Sequence, residues 1–237
     1  MKSIGLIGGM SWESTAVYYR LINEGIRDAC GGLTSASILL HSMNFSDVVA
    51  LQKEDRWSEA GALLGGAGAG LVAAGAECLL ICTNTMHLVA NDVGQIGRAP
   101  VIDIIDETAQ ALRKAAKSRP LLLATRYTME HGFYAAQMAR HGIDILTPTA
   151  EDRQTVHEVI FDELCQGQIR DSSRAQFEAI VAKAKARGAD SVILGCTEIS
   201  LLLAPEGLAL PGYDSTRIHA EAAVRFALET RTQAEAA

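Results

Sequence analysis

The stretch Leu79-Leu80-Ile81-Cys82-Thr83-Asn84-Thr85-Met86-His87 decides how the chain folds. An apolar run stops at a cysteine, small polar residues follow, and 86–89 is compatible with a helix. A short unbroken apolar run is the mark of a strand buried on both faces of a parallel sheet. Asn84 and Thr85 are helix N-cap types, so the segment predicts a strand-to-helix turn. In α/β folds such turns stand at the carboxyl edge of the sheet, where ligands are placed. The adjoining helix N-terminus is expected to lower the thiol pKa of Cys82. Val192-Ile193-Leu194-Gly195-Cys196-Thr197-Glu198-Ile199 has the same form. Two cysteines in one repeated setting predict a pair of acid/base groups.

Strands and helices alternate on either side of these turns. Strands are expected at 4–7, 37–43, 101–105, 121–125 and 143–146. Helices are expected from the Gly8-Gly9-Met10 turn to 27, and at 58–74, 107–117, 151–164, 173–187 and 216–229, with another from the Arg126-Tyr127-Thr128-Met129 turn to Gly142. Ser11 or Ser14 caps the first helix. Five glycines burden the 58–74 helix by about 1 kcal/mol each relative to alanine; a helix packed closely on the sheet is expected, with a flexible loop as the alternative. The tail, 230–237, is expected to fray.

Alternating strands and helices give the α/β class with parallel sheets. The order also repeats. The strand ending at Gly8 corresponds to the one ending at Ala124, and Cys82 to Cys196, at spacings of 116 and 114 residues. Gly75-Ala76 and Gly188-Ala189 precede the two cysteine strands. Two similar halves, drawing one site from both, are the expected organisation.

The 237 residues carry a net charge of −7 and no basic run, which argues against a nucleic-acid surface. No apolar stretch approaches the roughly 20 residues of a membrane span. The chain enters a strand at once, with no signal-peptide layout, and a cytoplasmic location is expected. Five irregularly spaced cysteines read as free thiols. Cys30, Cys78 and Cys165 are read as packing or surface residues, as are Met10 and Met129, and His41 as a core residue. His87 is read as structural or surface, and Arg126 as a surface charge or a gate on the site. No metal is expected, since no histidine stands at ligand spacing from a second cysteine.

Two thiols on opposite sides of one carbon suit inversion: one removes a proton, the other returns one, and the roles exchange in the reverse direction. Hydrogen-bond donors aimed at the adjoining carboxylate would stabilise the charge that develops. No Schiff-base lysine context or dinucleotide fingerprint appears, so no organic cofactor is expected.

Five pieces resemble the aspartate/glutamate racemase superfamily, in its cofactor-independent amino-acid racemase branch. They are Gly8-Gly9-Met10-Ser11-Trp12-Glu13-Ser14-Thr15, Cys82-Thr83-Asn84-Thr85-Met86-His87, Thr125-Arg126-Tyr127-Thr128-Met129, Asp162-Glu163-Leu164-Cys165 with Gly167, and Gly195-Cys196-Thr197-Glu198-Ile199. The resemblance implies two pseudosymmetric Rossmann-like domains, each a mainly parallel sheet flanked by helices. One would cover 1–98 with the returning C-terminal segment 215–237, the other 99–214. It implies a homodimer, an amino-acid substrate, Cys82 and Cys196 as the two bases, and substrate contacts from Met10, Gln52, Thr83, Asn84, Thr85, Thr128, Thr197 and Glu198. Related enzymes of the superfamily isomerise unsaturated diacids such as maleate, racemise hydantoins or decarboxylate arylmalonates. These reactions and non-catalytic amino-acid binding are the alternatives.

Two departures narrow the expectation. Glutamate racemases carry an acidic residue in an Asp-Ser-Gly pattern where this first strand ends in Gly-Gly-Met. Neither 43–52 nor 155–169 contains Arg or Lys, so a side-chain carboxylate bound there would lack its usual cation. A broader amino-acid racemase is expected, with aspartate and glutamate as the narrower reading.

Overall fold

The computed structural model describes residues 1–229; the fraying expected over 230–237 lies outside them. The chain divides into two units. Unit 1 takes Met1–Asp103 and the chain from His219 onward, and unit 2 is Ile104–Ile218.

Unit 1 runs β1 (Ile4–Gly8), α1 (Trp12–Cys30), β2 (Ile38–Ser42), α2 (Phe45–Lys53), α3 (Trp57–Ala73), β3 (Cys78–Ile81), a 3₁₀ turn at Thr85–Val89, and α4 (Ala90–Gly97). Its sheet is parallel in the order β2-β1-β3. Val101 adds one bridge on the far side of β3, to Leu79. Alternate residues of β3 serve opposite faces, as the pleat requires. Leu79 and Ile81 join the core under α3 and α4; Cys78, Leu80 and Cys82 join the core with Tyr18, Ile22, Ala220, Ala223 and Ala227.

Unit 2 runs α5 (Ile104–Lys114), β4 (Pro120–Leu123), α6 (Arg126–Glu130), α7 (Phe133–Arg140), α8 (Ala150–Glu158), a π turn (Val159–Glu163), a 3₁₀ turn (Leu164–Gln166), α9 (Asp171–Ala186), β5 (Ser191–Leu194), α10 (Ile199–Leu202), a 3₁₀ turn (Pro205–Gly207) and β6 (Gly212–Asp214); α11 (Ser215–Leu228) begins at its end and belongs to unit 1 from His219. The sheet is parallel, β4-β5-β6, and Leu146 bridges to Leu121 beside β4. Counting single bridges as reduced strands, both sheets have the same order, so the α/β class with two parallel sheets flanked by helices stands as read.

The repeat extends to hydrogen bonds. After α3, the Gly75 N–H donates to Val72 O and the Ala76 N–H to Leu71 O; after α9, the Gly188 N–H donates to Lys185 O and the Ala189 N–H to Ala184 O. Both are Schellman closures, with the glycine left-handed at φ 106° and 89°. An acidic residue then holds the start of the neighbouring strand in each unit. Glu77 accepts from the Ser3 N–H, and Asp190 from the N–H groups of Ser118 and Arg119.

Three of the five α3 glycines, Gly61, Gly65 and Gly68, are explained by close approach, whereas Gly66 and Gly70 face open space. A Cβ on Gly65 would stand 2.7 Å from Ile96 Cβ, and one on Gly68 2.9 Å from Leu79 Cδ1.

Several local expectations are corrected. Only Val101 of 101–105 pairs, because Ile104 and Ile105 share a buried helical face with Thr108, Ala109 and Leu112. Only Leu146 of 143–146 pairs. The helix expected after Arg126 breaks into α6 and α7 at left-handed Gly132, and that expected over 151–164 passes through π and 3₁₀ turns. His41 is exposed rather than core, because β2 is an edge strand with β1 as its single neighbour. No helix among the described residues is long and apolar enough to cross a membrane.

Candidate active site

In unit 1 the carboxyl ends of the adjacent strands β1 and β3 bring together two turns. The first is Gly8-Gly9-Met10-Ser11. Gly9 is left-handed at φ 85°, its N–H donates to Thr15 Oγ1 at 2.8 Å, and Ser11 Oγ caps α1 by accepting from the Ser14 N–H. Met10 is buried in the core with Ile7, Val48 and Met86. The second is the Cys82 turn. The Cys82 N–H continues the ladder to Ile7 O at 3.0 Å, and the Thr83 N–H folds back to Ile81 O at 2.8 Å. Cys82 is therefore the central residue of a three-residue turn. Asn84 precedes the 3₁₀ turn without a side-chain capping bond. Asn84 and Thr85 are buried, as is Gln52 of α2, whose Nε2 donates to Met86 Sδ at 3.0 Å.

Cys82 is wholly buried, and desolvation pushes its thiol pKa up. The lowering expected from an α-helix N-terminus does not occur: the chain leaves Cys82 into a 3₁₀ turn, and burial outweighs any dipole there. The other cysteines are free, with Cys30 exposed, Cys78 buried and Cys165 intermediate.

In unit 2 the carboxyl ends of β4 and β5 bring a second pair of turns together. Thr125 caps α6 by accepting from the Thr128 N–H, and its hydroxyl lies 3.1 Å from Thr128 Oγ1. Thr128 is buried. Arg126, beside it, is exposed and donates to Gln154 Oε1. Cys196 is partly buried, and its Sγ donates to Glu198 Oε2 at 2.8 Å; Thr197 Oγ1 donates to the same oxygen at 2.8 Å. Glu198 is itself buried. Desolvation first, and the Glu198 carboxylate second, hold the Cys196 thiol well above its ordinary pKa.

Within unit 1 the structure thus gathers Met10, Gln52, Cys82, Thr83, Asn84 and Thr85, and within unit 2 Thr128, Cys196, Thr197 and Glu198. Sequence reasoning read His87 as structural or surface. It is buried, and its Nδ1 lies 2.8 Å from Thr83 O. The signal was the spacing of four, which lays a side chain back over the preceding turn. Tyr18 and His219 were unmarked. They are buried and bonded to each other, Tyr18 Oη to His219 Nδ1 at 2.9 Å.

A family model described as Asp/Glu/Hydantoin racemase matches residues 7–223. The chain belongs to this family. Among solved structures, it is similar to a candidate Asp/Glu racemase from Yersinia pestis, with 44% identity and a TM-score of 0.91 over 97% of this chain and 100% of the other. An aspartate racemase homologue from Pyrococcus horikoshii OT3 gives 31% identity and a TM-score of 0.85, again over 97% and 100%. The Picrophilus torridus aspartate racemase shares the fold at 20% identity and a TM-score of 0.77, covering 96% of this chain and 94% of its own.

Proposed function

We propose that this racemase-family protein interconverts the L and D forms of free amino acids by a two-base reaction that uses no organic cofactor. Cys82 and Cys196 serve as the bases, each acting from one side of the same α-carbon. The observation that carries the reading is the repeated placement of a thiol just beyond the carboxyl end of β3 in unit 1 and of β5 in unit 2, in a chain of this family.

One cysteine, as thiolate, takes the α-hydrogen, and the other, as thiol, delivers a proton to the opposite side; in reverse the roles exchange. Both thiols are held protonated by their surroundings in the ligand-free protein. A substrate ammonium entering beside them favours ionisation of one, because an opposite charge stabilises the thiolate. Glu198 is the group positioned to receive the Cys196 proton. The substrate carboxylate is taken by hydroxyl and backbone donors of the turns, Thr83, Asn84 and Thr85 in unit 1 and Thr128 and Thr197 in unit 2, with Met10 and Gln52 lining the unit 1 side. Those donors would stabilise the charge that develops on the carboxylate.

Substrate breadth follows from charge. Among the described residues no Lys or Arg is buried. A second carboxylate would have no desolvated cation to meet, whereas a neutral side chain needs none. The proposed substrates are amino acids with uncharged side chains, ahead of aspartate and glutamate. The test is incubation of the purified protein, free of pyridoxal phosphate, with each proteinogenic L-amino acid, followed by chiral chromatography. Racemisation of several neutral amino acids faster than aspartate or glutamate is expected. Activity confined to aspartate or glutamate would overturn the breadth, and no racemisation of any would overturn the function.

A further inference from the structure

We propose that His87 is a positioning residue for Cys82, acting through the Thr83 carbonyl; this rests on Cys82 being one of the two bases. A carbonyl oxygen only accepts, so the 2.8 Å contact requires that His87 Nδ1 carry the proton and donate to Thr83 O. The same residue donates its own N–H to Ile81 O at 2.8 Å. Thr83 is thus pinned at both its N–H and its C=O, and the three-residue turn that aims the Cys82 side chain cannot open without breaking one of these bonds.

The ring of His87 is itself held. It meets the ring of His219 edge-on, with centroids 5.5 Å apart and planes at 71°. His219 has both nitrogens committed: Nε2–H donates to Ile102 O at 2.7 Å, and Nδ1 accepts from the Tyr18 hydroxyl at 2.9 Å. A chain of contacts therefore runs from the buried Tyr18, His219 and His87 to Thr83 in the thiol-bearing turn. The second cysteine lacks this device. Five residues beyond Cys196, where His87 stands beyond Cys82, is Leu201, which is 52% exposed. The Cys196 thiol is held instead by the Glu198 carboxylate. Each cysteine has its own support: a backbone clamp for one, a side-chain carboxylate for the other.

Three substitutions separate the hydrogen bond from mere packing. The amide nitrogen of asparagine reaches the place of His Nδ1, that of glutamine the place of Nε2, and leucine fills volume without a donor. His87→Leu and His87→Gln are expected to lower kcat about 10- to 100-fold, the scale of loss for a reacting group displaced by about 1 Å, with KM nearly unchanged. His87→Asn is expected to restore kcat to within about threefold of the unsubstituted protein by the same argument. Thermal unfolding is measured alongside, and if the leucine variant does not fold, the asparagine–glutamine pair carries the test. Unchanged kcat in His87→Gln, equal losses in His87→Asn and His87→Gln, or an effect confined to KM would overturn the proposal. If the unsubstituted protein racemises nothing, the two-base reading fails first.

Discussion

The two cysteine turns are alike in sequence and differ by one residue in space. In unit 1 the ladder beyond β3 is continued by the Cys82 N–H bonding to Ile7 O; in unit 2 the matching bond beyond β5 is made by the Gly195 N–H to Leu123 O. Cys82 thus occupies the ladder position that Gly195 holds in the other unit, and Cys196 lies one residue further along. A one-residue step changes which way a side chain points. Cys82 is wholly buried, whereas Cys196 is partly exposed and bonded to Glu198. On the proposed two-base reading, a repeated scaffold presents two unlike acid/base groups. One is controlled by burial and a clamped backbone, the other by a carboxylate, and reversible proton transfer needs two groups that can hold opposite protonation states.

The sharpest way to break the comparison is to remove each thiol. Cys82→Ala and Cys196→Ala are each expected to lose about 10³-fold or more in kcat/KM, the scale of a missing general base. The loss should be equal for the L and D substrates, since the enantiomers are equal in free energy. Polarimetric rates measure this, and a variant keeping a tenth of its activity would end the pairing.

Glu198→Gln tests the unit 2 support and should reduce kcat about 10- to 100-fold, the low end of a proton-transfer contribution. The carboxylate raises the Cys196 pKa. Its removal makes the thiolate easier to form, so the alkaline-rising limb of kcat/KM should move to lower pH. A shift upward, or no shift, would separate Glu198 from the thiol.

Gly195→Ala probes the extra ladder residue. The added Cβ would stand 3.0 Å from Ala124 Cβ and 3.1 Å from Leu123 O, and a loss of about 1–3 kcal/mol in denaturant unfolding is expected for such overpacking. Unchanged stability would show that this strand end yields easily.

The smallest effect concerns the buried network behind Cys82. Desolvation first, and His87 second, lower the His219 pKa from 6.5 to about 3. The folded state then binds fewer protons than the unfolded state between these values. The contribution is whole above about pH 6.5 and is lost as pH falls toward about 3. Stability measured by urea unfolding should lose up to about 1.4 kcal/mol per pH unit on this account, and His219→Gln should flatten that slope. An equal slope in the variant would remove the assignment.

Much of this was legible in the chain itself. Leu79 to Ile81 and Val192 to Leu194 announce buried parallel strands because nothing polar interrupts them, and the Gly-Ala pairs mark the same helix closure in both halves. The one-residue slip at Gly195 was not legible, because register is decided by which N–H meets which carbonyl on the neighbouring strand. The apolar run 101–105 reads alike for a strand and for the buried face of a helix, and packing chose the helix for Ile104 and Ile105. The thiol pKa was misjudged because a cysteine at a turn does not declare how deeply it is buried. His87 was passed over because its partner is a backbone carbonyl, which leaves no mark on sequence.

One measurement bears on the central claim most directly. A single enantiomer of a turned-over amino acid is incubated with the protein in deuterated water and analysed at low conversion. Two bases, each serving one side of the carbon, predict that the inverted product carries one deuterium at the α-carbon while remaining substrate keeps its hydrogen. Deuterium appearing equally in recovered substrate and product would mean a single base working on both sides, and would contradict the account.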